Sequence, residues 1–286
     1  MPELPEVETV RRQLAPHVEG RTITAVRIDD ARWCAPQEPG ELEEAITGQR
    51  IEALERRGKH LIAVLSGGGQ LLMHLRMTGI LLWEPAEDAP YERVRFWLDD
   101  EHALAFCDPR RFGTGLLLPD RAARDAYLDA RLGPEPLDPE AFTVDVLREA
   151  FRDRDAPVKG ILLDQKKIAG VGNIYADEAL FRAGIHPARP GRMVKASQLE
   201  PLRAGIVEAL ELGIESGGAS IDDFRHLDGA RGSFQWEFLV HRRQGLPCPD
   251  CGAEIVKMVV AGRGTYACEV CQPPPRHLPR SARRLS

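Results

Sequence analysis

Four cysteines near the C-terminus stand in two pairs, Cys248-Pro-Asp-Cys251 and Cys268-Glu-Val-Cys271, with 16 residues between the pairs. Two thiolate knuckles at that separation can close a tetrahedral shell around one zinc ion. Gly252, just behind the first pair, suits the tight turn of a knuckle. A pair of structural disulfides is the competing reading, and a reducing compartment weighs against it. Sulfur fills all four positions, so no coordination site stays open and the zinc is expected to be structural. Cys34 and Cys107 stand alone in strand-like stretches and read as buried apolar residues.

The other reactive group is at the opposite end. The chain opens Met1-Pro2-Glu3-Leu4-Pro5-Glu6. An initiator methionine ahead of a small residue is expected to be removed, and Pro2 then presents a secondary amine beside the Glu3 carboxylate. An α-amino group titrates at about pH 8, so a useful fraction is unprotonated at neutral pH. Such an amine attacks aldehyde-like carbons to form Schiff bases. The plainer reading is a proline-rich start to a helix.

Three more segments place cations at turns. Asp108-Pro109-Arg110-Arg111-Phe112-Gly113 is a loop with two arginines and an aromatic, and His74-Leu75-Arg76-Met77-Thr78-Gly79 is a similar tip carrying methionine. An exposed apolar residue beside arginine can wedge between base steps; core packing of Met77 and Phe112 is the alternative. Gly170-Val171-Gly172-Asn173 opens a helix and offers backbone N–H groups to a phosphate, with Lys159, Lys166 and Lys167 nearby. It follows a helix rather than a strand, so it is no dinucleotide fingerprint. Between the cysteine pairs, Gly262-Arg263-Gly264 forms a hairpin tip that projects one arginine suited to phosphate.

These groups must be positioned by two kinds of element. Residues 3–18 have helical spacing (Val7, Val10, Leu14), with Pro16 as the stop. Residues 21–118 are mostly alternating: 22–28, 61–65, 71–75 and 93–98 read as strands, punctuated by Gly67-Gly68-Gly69 and Asp99-Asp100-Glu101. That density of strands suggests a sandwich or barrel. The linker Gly133-Pro134-Glu135-Pro136 precedes helices expected at 140–152, 158–165, 173–183 and 197–215, the last capped by Ser197 with Glu200. Residues 230–271 return to short strands, and the end from Pro273 is expected to be disordered.

The chain has 286 residues and a net charge of −6, with ordinary hydrophobic content of 43%. That composition fits a soluble globular protein of about two domains. No apolar run approaches the roughly 20 residues of a membrane span, and the acidic, proline-rich start is no signal peptide. Overall charge gives no hint of nucleic acid, yet from Arg231 onward nine basic residues face four acidic ones. A basic module on an acidic body fits a protein that meets phosphate on one face; a solvated tail is the bland alternative.

In combination and order, the Pro2–Thr9 opening, Arg57-Gly58-Lys59, His74–Met77, Asp108–Gly113, Gly170–Tyr175 and the cysteine ribbon with Arg263 closely resemble the bacterial formamidopyrimidine-DNA glycosylases. The match runs from Pro2 to Cys271. The resemblance implies an α+β multidomain protein: an N-terminal β-sandwich with flanking helices (2–132), a helix–two-turn–helix domain (133–229) and a zinc ribbon (230–272), followed by the disordered tail (273–286). It implies a monomeric cytoplasmic enzyme, associated with the nucleoid, that acts on double-stranded DNA carrying a damaged base and touches no membrane. Pro2 is then the nucleophile, Glu3 opens the sugar, Lys59 is the general acid of elimination and Arg263 clamps the lesion phosphate. Glu6 sits near the amine. Met77, Arg110 and Phe112 fill the gap left by the flipped base, and Lys159 and Asn173 meet the backbone. One structural zinc on Cys248, Cys251, Cys268 and Cys271 is the only cofactor.

Departures from the family pattern are informative. Tyr91-Glu92-Arg93 stands where the family commonly has His-x-His, so Tyr91 or Arg93 is expected to supply that backbone contact. The basic run before Lys159 is Arg152-Asp153-Arg154-Asp155, leaving Arg154 as the backbone contact with half the charge cancelled. The 216–232 loop, which closes over the flipped base in the family, carries Asp222, Asp223 and Asp228. Two other readings stay open: a pyrimidine-preferring glycosylase on the same scaffold, and a non-catalytic DNA-binding zinc protein.

Overall fold

The computed structural model describes residues 1–221, 224–276 and 282–284. They form two compact units, Met1–Ala130 with Gly213–Gln235, and Arg131–Leu212 with Trp236–Ser286. Residues 213–235 group with the N-terminal strands rather than with the helices that precede them.

In the first unit, helix α1 (Leu4–Val18) begins at Glu3 and buries Val7, Val10, Leu14 and Val18 along one stripe. Pro16 does not stop it. The ring lies in the last turn, where its fixed φ fits the helix, and Glu19 N–H still closes on Ala15 O at 3.0 Å. Eight strands follow: β1 (Ile23–Ile28), β2 (Ile51–Arg57), β3 (His60–Leu65), β4 (Gln70–His74), β5 (Ile80–Trp83), β6 (Glu92–Leu98), β7 (Ala103–Cys107) and β8 (Thr114–Leu118). They make two antiparallel four-stranded sheets, ordered β1-β6-β7-β5 and β2-β3-β4-β8. Short helices α2 (Ala31–Cys34), α3 (Pro39–Ile46) and α4 (Arg121–Asp129) interrupt and follow them. Four to nine residues are too few to show a helical period in sequence. The sheets share a core with α1, in which Trp33 meets Phe96 and Phe106 edge-on. A Cβ on Gly115 would lie 2.1 Å from the Trp33 ring, so β8 must carry glycine there. Phe224 and Leu227 complete this core from the 213–235 segment.

The second unit contains α5 (Val144–Phe151), α6 (Val158–Leu162), α7 (Asn173–Arg182) and α8 (Ala196–Glu215). Ser197 lies inside the first turn of α8 rather than capping it; Lys195 N–H donates to the Gln198 side chain at 3.1 Å instead. The ribbon is the hairpin β9 (Val256–Val260) and β10 (Arg263–Ala267), joined by Ala261–Gly262, both at positive φ (49° and 73°). The tip is therefore Ala261–Gly262, and Arg263 opens β10 opposite Val260. A third strand, β11 (Ala282–Arg284), pairs antiparallel with β9. Within the tail expected from Pro273 onward, residues 282–284 are thus a strand: the outer edge of β9 offers backbone groups to pair with, and Ala282 packs with Ala188, Met258, Val260 and Ala267. Residues 277–281, 285 and 286 lie outside the described residues. Among the described residues no helix is long and apolar enough to cross a membrane.

Candidate active site and nucleic-acid interface

Two buried carboxylates follow Pro2 closely in the chain and form the capping box of α1. Glu3 and Glu6 are buried, at 3% and 1% exposure, and Pro2 is buried with them. Glu6 spends its two oxygens on different partners: Oε2 accepts from Glu3 N–H and Oε1 from Ala219 N–H, both at 2.8 Å. Gly218 permits this. Its φ is +79°, and a Cβ there would come within 2.9 Å of Glu6 Cγ. One side chain thus ties residue 3 to the loop that begins after α8, a link no local pattern reveals. Asp222 and Asp223 of that loop lie outside the described residues.

Helix α1 packs on β2 and β3. The register Arg57↔His60 leaves Gly58-Lys59 as a two-residue turn, with Gly58 at φ 58°. Lys59 is buried (5% exposed) although it sits at a hairpin tip. Arg56 braces the turn, donating to Gly58 O at 3.0 Å and pairing with Glu8 at 3.2 Å. Burial pushes the Glu8 carboxyl up, but hydrogen bonds from Arg11 and Arg12 and the charges of Arg11 and Arg56 outweigh it and bring the pKa down to about 2. His74 packs edge-on against His60 at 4.7 Å. Burial, then the charges of His60, Arg76 and Lys59, drive its pKa to about 2, so it is neutral. Its Nδ1 accepts from Arg76 N–H at 2.9 Å, which leaves the proton on Nε2.

Met77 and Phe112 are exposed, at 40% and 50%. Together with Met1 they line one cavity of about 510 Å³. They are not core residues. The loop behind Phe112 is folded around Asp108, which is fully buried. Its Oδ1 accepts from Thr78 Oγ1 and from Arg110 N–H, and its Oδ2 accepts from Phe112 N–H at 2.8 Å and Gly113 N–H at 2.7 Å. Arg110 lies over the Phe112 ring, 4.8 Å from its centroid. Arg111 turns away to Asp30 at 2.6 Å. Arg93 donates its Nε–H to Asp108 O at 2.9 Å and so braces the loop. Tyr91 is 60% exposed at φ 60°, a conformation an L residue holds only at some cost, and accepts from Asp108 N–H.

In the second unit, the Lys159 reading is corrected. Its side chain has no exposure. Nζ pairs with Asp177 at 2.7 Å and donates to Thr265 Oγ1 at 2.8 Å and Gly264 O at 3.2 Å. With its donors turned inward it holds the β9–β10 hairpin rather than meeting phosphate. Asn173 donates to the same Gly264 carbonyl at 3.0 Å from the first residue of α7. Asp177 also takes His241 Nδ1 at 2.8 Å, and Glu178 accepts the N–H groups of Leu239, Val240 and His241. Arg263 and Arg154 are exposed. Asp177, Glu178 and His241 are supports that sequence reasoning missed; their only signal is a run of acids on a helix.

The four cysteine sulfurs lie within 4.8 Å of one another, with Cys248–Cys271 at 3.8 Å and Cys251–Cys268 at 3.5 Å. Zinc–sulfur bonds of about 2.3 Å in a tetrahedron require sulfurs about 3.8 Å apart. The donor set fits one structural zinc and is too open for disulfides.

Three family models match in chain order: the formamidopyrimidine-DNA glycosylase N-terminal domain over residues 1–115, the H2TH domain of the same enzymes over 132–225, and a zinc finger found in FPG and IleRS over 245–274. A formamidopyrimidine-DNA glycosylase of Chloroflexus aggregans is 46% identical over 275 residues, covering 95% of this chain and 98% of that one. Among solved structures, the MutM (Fpg) protein of Thermus thermophilus superposes with a TM-score of 0.86 at 42% identity, covering 96% of this chain and all of that one. The Lactococcus lactis Fpg in complex with DNA containing an abasic site gives 0.88 at 36% identity, covering 95% and 100%. The chain belongs to the formamidopyrimidine-DNA glycosylase family.

Proposed function

We propose that this protein is a bifunctional DNA glycosylase and AP lyase of base excision repair. It removes 8-oxoguanine and formamidopyrimidines through a Schiff base at Pro2 and nicks the strand by β- and δ-elimination. The observation that carries the reading is the buried Glu3–Glu6 pair around the N-terminus, within one unit that also holds buried Lys59 and the exposed Met77, Arg110 and Phe112. A non-catalytic DNA-binding protein has no use for an N-terminus set among buried carboxylates. The L. lactis relative is known in complex with DNA containing Fapy-dG.

A damaged base must leave the stack before its sugar carbon can be reached; Met77, Arg110 and Phe112 fill the space it vacates. With Met1 removed, the Pro2 nitrogen attacks C1′ and displaces the base. Glu3 protonates the ring oxygen, the sugar opens, and an iminium joins enzyme to DNA. The iminium withdraws electrons, so the C2′ proton becomes acidic and its loss expels the 3′ phosphate; a second elimination frees the 5′ phosphate. Lys59 is the acid for these departures, and Glu6 positions the amine. Arg263 and Asn173 grip the lesion phosphates, with Arg154 and Tyr91 on flanking backbone. The enzyme works as a monomer in the nucleoid. Zinc holds the ribbon and takes no part in the chemistry, because four thiolates fill its shell.

Borohydride reduction on a duplex carrying one 8-oxoguanine tests the assignment. The trapped DNA should map to residue 2, and a residue added ahead of Pro2 should abolish both trapping and excision. Glu3→Gln should impair base release far more than cleavage at a preformed abasic site. Trapping at Lys59, or at any residue other than Pro2, overturns the mechanism. A parallel duplex with an oxidised pyrimidine measures base preference; the L. lactis protein is also known in complex with such DNA.

A further inference from the structure

The zinc-finger match ends at residue 274, and the chain continues with Arg276, Arg280, Arg283 and Arg284, with no acidic residue from Gln272 to Ser286. Both ends of this extension are fixed. Gln272 is fully buried: its amide donates to Ile185 O at 2.9 Å, and its Oε1 accepts from Cys268 N–H at 3.1 Å, inside the second knuckle. Further on, β11 lies along the outer side of β9, with Ala282 opposite Val260 and Arg283 opposite Val259.

This register sets where the charge goes. Side chains alternate between faces along a strand. Arg283 therefore shares a sheet face with Val259, Gly264 and Lys257, while Ala282 turns into the apolar cluster. Arg276 and Arg283 are exposed, and among the described residues no carboxylate pairs with either. Ala282 lies two strand spacings, about 10 Å, from Arg263 across β9 and on the same face, so Arg283 projects from the opposite face at the same end of the ribbon. Charge on an edge strand blocks edge-to-edge pairing, but that role does not call for one sign only, and no acidic residue occurs from Gln272 to Ser286. An exposed Arg283 in such a segment suits a polyanion that already meets the neighbouring hairpin.

We propose that the C-terminal extension is a second backbone-binding element for duplex DNA, a cationic strand built onto the ribbon that adds sequence-independent phosphate contacts to those of Arg263. The proposal rests on the DNA-repair reading above.

The test is the affinity of the zinc-loaded full-length protein for undamaged duplex across a salt series. Arg276→Gln with Arg283→Gln keeps the backbone strand and removes two charges. The log–log salt slope should fall by roughly two units, one per arginine, at unchanged zinc content and unchanged melting temperature. Deletion of residues 276–286 should lower it at least as far. An unchanged slope in both variants, or an affinity loss equal at every salt concentration, overturns the proposal and leaves β11 as edge cover. Failure of the unaltered protein to bind duplex DNA at all defeats the repair reading instead, so the two failures are distinguishable.

Discussion

The Asp108 loop and the Arg263 hairpin both present arginine at an exposed turn, and each is held from behind by one fully buried charge. Their supports differ in reach. The Asp108 carboxylate collects donors two, four and five residues ahead, with Thr78 as its one distant partner. It folds its own loop. Lys159 collects acceptors 105 and 106 residues away, and a carboxylate from the next helix, so it joins separate segments. A loop wrapped on its own anion draws most of its shape from bonds within itself. A hairpin held by a distant cation keeps its place only while every partner is present.

The first way to break that contrast is to remove the hairpin's other support. Cys268→Ser should lose zinc and unfold the ribbon, since structural zinc contributes on the order of 10 kcal/mol to such modules. The sandwich should keep its own unfolding transition, and metal analysis with calorimetry reads both. Next, Lys159→Met strips buried Asp177 of its cation and leaves it only the His241 ring, at a cost of about 3 kcal/mol in denaturant unfolding. Pairing it with Asp177→Asn should recover much of that loss; no recovery would mean that the ion pair is not what holds the hairpin. Asp108→Asn should cost less, about 1–3 kcal/mol, with faster amide exchange confined to Phe112, Gly113 and Arg110. Protection lost across the ribbon instead would refute the local character of the loop.

The sandwich carries another buried anion, and it sharpens the comparison through pH. The folded-state pKa of Glu8 is about 2 against an ordinary 4.5. Its contribution is fully present above about pH 4.5 and is lost as pH falls toward 2, on the order of 1–2 kcal/mol after screening at its partly open site. Glu8→Gln should flatten the acid limb of the stability curve in that window and nowhere else. The smallest expected effect is on folding: Phe112→Ala should change stability by less than about 0.5 kcal/mol, because the ring is half exposed, while base excision falls. A large stability loss would place the ring in the core.

The same contrast explains what was legible in the sequence. Two cysteine knuckles state their geometry through spacing alone. Asp-Pro-Arg-Arg-Phe-Gly nearly does so, because an aspartate at the head of a turn is a local signal. Lys159 misleads: a lysine close to Arg152 and Arg154 reads as surface charge. Its burial is decided by Asp177 and by a hairpin more than a hundred residues later, and nothing near it in sequence says so. Ser197 is not the cap because the helix already begins at Ala196, with Lys195 N–H donating to the Gln198 side chain. The strand at residues 282–284 was hidden for a related reason. Three residues rich in arginine have no strand pattern, and only the vacant edge of β9 gives them one.

The first unit is discontinuous in sequence, and this bears on how the chain is made. Phe224 and Leu227 belong to a core otherwise assembled from residues before Ala130. The Glu6–Ala219 bond closes across 213 residues. A ribosome delivers the sandwich first, yet must finish most of the helical segment before it supplies the last pieces of the sandwich core. Until then a nascent sandwich lacks the Glu6–Ala219 bond and has an apolar gap where two side chains belong. Synthesis from the N-terminus therefore leaves that unit incomplete, and exposed to misassociation, for the time taken to translate the whole intervening insert.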